Sequence, residues 1–120
     1  MSNNEKAVLF IGSNRPLQGK EQEALNLWNE SQGWLKKQEQ SGWFSRHDSF
    51  FLTAHGGDMN SGILCYGDRA KLDEWRRTDE FEAWIFKMGA CLGDLGVVPG
   101  VTGEGIQQAM ARRQAAVGNK

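Results

Sequence analysis

Two short segments of this chain are apolar on both of their faces, and this constrains the fold more than any other feature. In Ala7-Val8-Leu9-Phe10-Ile11 an extended backbone puts Ala7, Leu9 and Ile11 on one side and Val8 and Phe10 on the other. Ile63-Leu64-Cys65-Tyr66, within the segment Ser61–Tyr66, repeats the arrangement. A strand of this kind belongs in the middle of a sheet that is covered on both sides. Gly12-Ser13-Asn14-Arg15-Pro16 ends the first segment as a turn.

The remaining elements follow from periodicity. From about Gln18 to Gln40 the period is helical, with Ala24, Leu27, Trp28 and Leu35 on one face around Ser31. Glu21 and Glu23 fall in its first turn, where they favour the helix dipole, and Ser41-Gly42 is its stop. Trp43 to His55 reads as a long alternating strand, and His55-Gly56-Gly57-Asp58-Met59-Asn60 as the connection back to Ser61–Tyr66. Asp68 to Leu95 is helical with a break near Arg76-Arg77, because Thr78 is a good N-cap with Asp79 and Glu80 behind it. Phe81, Ile85, Met88, Leu92 and Leu95 then form one stripe, ended by Gly96. Val97-Val98 begins a short strand that Pro99 confines to an edge. Thr102 is the expected cap of a last helix, about 103–117, whose narrow apolar face is Ile106, Met110 and Val117.

The order β-α-β-β-α-β plus a C-terminal helix is that of the ferredoxin-like α+β unit, a split βαβ whose helices cover one sheet face. We expect one domain over 1–120. The first and third strands are central in that topology, so the face without helices must meet something else. Ile, Leu, Val and Phe together are only 25 of 120 residues, a thin core that also argues for burial against a partner. A symmetric homodimer through the uncovered face is the simplest solution; the alternative folds the C-terminal helix back over it. Phe86 and Trp34, each off the main stripe of its helix, are further candidates for such packing.

The helix start Gly19-Lys20-Glu21-Gln22-Glu23-Ala24-Leu25-Asn26-Leu27-Trp28 and the break Arg77-Thr78-Asp79-Glu80-Phe81 resemble the dimeric α+β-barrel superfamily across roughly residues 6 to 101. That group includes antibiotic-biosynthesis-type monooxygenases, EthD-like proteins and many uncharacterised bacterial proteins. Gly96 to Glu104 resembles a block in bacterial homologues of unassigned function. The resemblance implies two sheets closing a barrel across a dimer, with a pocket in each subunit between sheet and helices. It transfers no catalytic residue.

Charge narrows the partners. With 14 Lys+Arg against 15 Asp+Glu the net charge is −1, which gives no electrostatic case for nucleic acid or an acidic membrane surface. Leu9 to Asn14 looks like the first-strand motif of RNA-recognition domains, but Ser61 to Tyr66 lacks the basic and aromatic partner motif. No apolar run approaches a membrane span, and the polar start carries no export signal, so a cytoplasmic location is expected. Cys65 and Cys91 are too few and too far apart for a disulfide framework and read as reduced core residues.

Nucleotide, metalloprotease and hydrolase motifs are all missing, so no cofactor and no metal are expected. The catalytic candidates are His47, His55 and Asp58. On one regular strand His47 and His55 would share a face about 26 Å apart, too far for one metal. His55 and Asp58 flank Gly56-Gly57 and either converge as base and orienter, or as two metal ligands (too few for a closed structural zinc site), or form a capped turn with a surface histidine. His47, with Ser45, Ser49 and Phe51 on its side, is an acid–base group if that side faces the helices and an interface residue if it faces a partner. Arg46 and Asp48 on the other side read as an ion pair. Trp28, Trp75, Phe81 and Trp84 are candidates for an aromatic ligand pocket, or for core, or for both. The leading expectation is a dimeric protein that binds a small, partly apolar molecule between sheet and helices. A cofactor-independent monooxygenase or isomerase is the second reading, and a purely structural or interaction module the third.

Overall fold

The structure, a computed structural model, describes residues 5–118. Its elements are β1 (Ala7–Ser13), α1 (Glu21–Gln40), β2 (Arg46–Phe51), β3 (Ser61–Gly67), α2 (Arg69–Arg76), α3 (Asp79–Cys91), β4 (Gly96–Val101) and α4 (Glu104–Val117). The strands form one antiparallel sheet in the order β2-β3-β1-β4, the ferredoxin-like topology, with the two doubly apolar strands at its centre.

On the helix side, Ala7, Leu9 and Ile11 of β1 and Ile63 and Cys65 of β3 are buried against Leu35 of α1, Leu72 and Trp75 of α2, and Phe81, Trp84 and Met88 of α3. Register pairs Leu9 with Cys65 and Ile11 with Ile63, so these side chains make a continuous floor. The other side carries Val8, Phe10, Phe50, Leu64, Tyr66 and Val98. There Gly12 and Gly62 lie opposite one another, and a methyl on either would run into the Phe10 ring, with Phe50 also against Gly62. The glycines let the two rings lie flat on the sheet, nearly parallel at 13° with centroids 6.4 Å apart. Arg46 edges this face, its guanidinium 3.8 Å from the centre of the Tyr66 ring, with ion pairs to Glu5 (3.0 Å) and the expected partner Asp48 (3.2 Å). The Ser45 hydroxyl and then Arg46 hold the Glu5 carboxyl below its usual range.

Several boundaries differ from expectation, each for a local reason. The long strand stops at Phe51: Leu52 still donates to the Asn60 carbonyl, but Thr53 to His55 turns away and His55 bonds its own backbone neighbour. Trp43 and Phe44 belong to the turn after α1, where Trp43 donates to the Gln38 carbonyl. Thr78 does cap α3, accepting from the Phe81 amide at 3.1 Å, but α3 ends at Cys91. Leu92 and Leu95 lie beyond it, Leu92 in a bridge to Pro16.

The C-terminal helix departs most. Gly103, at φ +53°, is the residue before it, and Thr102 donates its hydroxyl to the Glu5 carbonyl instead of capping. The buried residues of α4 are Gly105 and Ala109. Gly105 sits so close to the Lys6 carbonyl that a side chain would overlap it. Backbone closeness thus sets the packing face, and Ile106, Met110 and Val117 are left 49%, 59% and 62% exposed. Helix α4 meets the sheet at β4, and the molecule is drawn out to 55 × 35 × 24 Å. Val98 on the open face remains 54% exposed, so the fold-back that would cover this face is not seen.

Candidate functional site

Antiparallel pairing of β1 with β3 brings the polar end of one to the polar start of the other: Ser13 stands opposite Ser61, and Asn14 and Asn60 follow just beyond. Above them lie Ala24, Leu25 and Trp28 of the first half of α1, and beside them Met88 and Leu92 at the end of α3 and Phe51 at the end of β2. The layers do not close here. They leave a cleft of about 130 Å3, also lined by Arg15 and Pro16. Trp28 and Phe51 form its aromatic wall, with ring centroids 4.6 Å apart.

The polar end of the cleft is held by three loops. Asn60 donates its side-chain amide to Asn14 Oδ1 and to the Gly57 carbonyl, and Asn14 donates to Asp94 Oδ2 at 3.0 Å. Backbone bonds from Asn14 to Gly93 (2.8 Å), Gly93 to Arg15 (3.0 Å) and Asn60 to Ser13 (2.9 Å) complete the clamp. Asp94 sits in the left-handed region at φ +50°, strain that this network supports. Ser13 and Ser61, both almost fully buried, share a hydrogen bond of 2.8 Å. Arg15 is exposed at the mouth and has no carboxylate partner among the described residues.

The other candidate aromatics are elsewhere. Trp75, Phe81 and Trp84 pack with Trp34 and Phe44 between α1, α2 and α3, at ring separations of 4.6 to 6.0 Å. All three indole N–H groups of this cluster are satisfied: Trp75 donates to Gln38 and Trp84 to Ser31, both at 2.8 Å, and Trp34 donates to Glu80 at 3.1 Å. Trp34 is part-buried and packs against Trp75 and Trp84, whereas Phe86 is 79% exposed. Of the four aromatic candidates only Trp28 reaches the cleft.

His47 faces the helices. Its Nδ1 is 2.8 Å from Glu39 Oε1 near the end of α1, and the Phe44 ring meets it edge-on. Two residues along β2, the Ser49 hydroxyl donates to Gln32 at 3.1 Å. These bonds fasten the edge strand to α1 in sequence with the Trp28–Phe51 contact. His47 stands four residues from Phe51, about 13 Å along the strand, and is not on the cleft lining. His55 Nδ1 is bonded to the Thr53 carbonyl at 2.8 Å, and its ring lies over Gly57. Asp58 lines a shallow hollow on the opposite face with Phe10, Gly12 and Asp94. No cluster of three or more metal-ligating side chains exists among the described residues. Cys65 and Cys91 are free and buried, and burial pushes both thiols up.

Sequence reasoning missed Asn14, Arg15, Phe51, Asn60 and Ser61. The usable signal was the matching polar ends of two strands that must pair antiparallel. Also missed was Glu39, because nothing in a one-dimensional pattern marks which helix end overlies His47.

No protein-family model matches the chain, and no curated protein matches it. Solved structures do. A dimeric protein of unknown function and ferredoxin-like fold from Bacteroides fragilis NCTC 9343 superposes with a TM-score of 0.62 at 11% identity, covering 82% of this chain and 99% of that one. A conserved protein from Methanosarcina mazei Go1 gives 0.57 at 16%, covering 82% and 92%. At these identities the likeness is one of fold, and the fold is ferredoxin-like.

Proposed function

We propose that this protein is a homodimer in which each subunit binds a small, partly apolar molecule in the cleft between α1 and the sheet. The observation that carries the reading is the cleft itself: apolar walls left unfilled beside a polar end built from three clamped loops. About 130 Å3 is room for a single ring, comparable with an engineered apolar cavity of about 150 Å3 that binds benzene. The dimer is supported by the flat apolar face around Phe10, Phe50 and Leu64, which two copies would bury against each other. The dimeric structural neighbour agrees with it. Two free buried cysteines fit a reducing compartment such as the bacterial cytoplasm.

Native mass spectrometry with ligand-observed NMR of single-ring fragments tests both halves. The wild-type chain is expected to run as a dimer and Phe10→Glu as a folded monomer. Fragments are expected to bind the wild type and not Ala24→Leu, whose side chain fills the cleft. A wild-type monomer at micromolar concentration overturns the dimer, and the lack of any fragment binding overturns the cleft.

The second reading is an acid–base enzyme of the cofactor-independent oxygenase or isomerase kind, and His47 favours it over His55, because the Glu39 carboxylate orients its ring. The binding reading is preferred because His47 is fastened to α1 away from the cleft.

A further inference from the structure

Resting on the cleft reading, we infer that the molecule it takes is a small ring-bearing carboxylate, its ring against Trp28 and Phe51 and its anionic group on Arg15 and the Ser13–Ser61 hydroxyl pair. Two independent features point to an anion. First, the lining holds a single charged side chain, Arg15, and neither Asp nor Glu. Arg15 has no carboxylate partner among the described residues, so its five N–H donors are open to a ligand. The nearest acid in the clamp, Asp94, is occupied by Asn14 and is not on the lining.

Second, the serine pair has one proton too many. Ser13 and Ser61 are 4% and 6% exposed, and their mutual bond uses one hydroxyl proton of two. No other acceptor for either hydroxyl is found among the described residues. A buried donor without an acceptor is unfavourable, and Ser61 lines the cleft, so a ligand oxygen is the partner it lacks. A cation at the mouth and a spare O–H at the floor suit a carboxylate, while the apolar walls suit the ring that carries it.

The probes are 3-phenylpropionate and its neutral twin 3-phenylpropionamide, with Kd read from the shift of the Trp28 indole N–H, assigned with Trp28→Phe. The acid is expected to bind about tenfold tighter than the amide. Arg15→Gln should bring the acid down to the affinity of the amide, and Arg15→Lys should restore part of the gap. Thermal melting of both variants should stay near wild type, since the exposed Arg15 side chain makes no hydrogen bond among the described residues. Equal affinity for acid and amide in the wild type overturns the anion assignment and leaves the cleft reading standing. A preference for the acid that survives Arg15→Gln overturns it too. If neither probe binds, the anion assignment falls, and the cleft reading falls with it only when no other single-ring fragment binds either.

Discussion

The helix–sheet layer is closed at one end and open at the other, and tryptophans show the difference. At the closed end Trp75 is fully buried, touches Trp34, Phe44 and Phe81, and has its indole N–H on Gln38. At the open end Trp28 is half-buried with one aromatic neighbour and no indole hydrogen bond among the described residues. The residue type is the same and α1 serves both ends, carrying Trp28 at the open one and the Trp75 partners Trp34 and Gln38 at the closed one. What differs is whether the neighbours fill the space and whether a polar partner has been built for the N–H. An aromatic with both is core; an aromatic with neither is a wall that waits for something.

The largest effect that tests this contrast is on stability. Trp75→Ala removes a fully buried ring from a packed cluster and should cost about 3–5 kcal/mol. Trp75→Phe keeps most of the packing but strands the Gln38 oxygen, a loss of about 1–3 kcal/mol. Trp28→Ala should cost less, about 1–2 kcal/mol, because part of its surface is already in water and its indole N–H has no partner to lose among the described residues. Urea denaturation of the three variants ranks them, and equal losses at Trp75 and Trp28 would mean that the open end is as tightly packed as the closed one.

A smaller effect isolates the floor of the cleft. Ser13→Ala or Ser61→Ala leaves one buried hydroxyl alone and should cost about 1–2 kcal/mol. The double variant removes both and should be no less stable than either single one, so the two sites couple by about 1 kcal/mol. Strict additivity in the cycle would show that the 2.8 Å contact contributes nothing.

The same contrast explains what the sequence made legible. The two central strands were readable because apolar residues on both faces leave an extended segment only one place in a sheet. The Thr78 cap was readable because capping is local chemistry. The end of β2 was not: Ser49 and Phe51 continue the alternation, and what stops the strand is His55 bonding the Thr53 carbonyl, a competition that no alternation pattern records. The face of α4 was misread because the apolar stripe is the louder signal, whereas Gly105 against the Lys6 carbonyl decides which side packs. For the cleft, periodicity found Trp28 together with Trp75, Phe81 and Trp84, since all four sit at helical spacing. Only the third dimension shows which of them acquired partners. His47 was legible as a polar residue on one side of its strand, but which side faces the helices, and how far it stands from the cleft, depend on how α1 lies over β2.

The smallest effect concerns the two thiols, one at each end. Cys65 lies on β3, register partner of His47, fully buried under the closed half. Burial, with the Glu39 carboxylate adding to it, pushes its thiol far above the usual range. Cys91 lies at the end of α3 between the cleft residues Met88 and Leu92. Burial and Glu23 push its thiol up while Lys20 pulls it down. Both shifts favour the neutral thiol, so near pH 8 neither carries the thiolate fraction of a free cysteine, and labelling requires local opening. The open end should open more often. Cys91 is therefore expected to react with a thiol reagent several times faster than Cys65 in the native protein, and both should react at once in urea. Adding 3-phenylpropionate should slow Cys91 and leave Cys65 unchanged, because only one of them borders the cleft. Equal native rates, or protection of Cys65 in place of Cys91, would place the mobile end of the layer on the wrong side of α1.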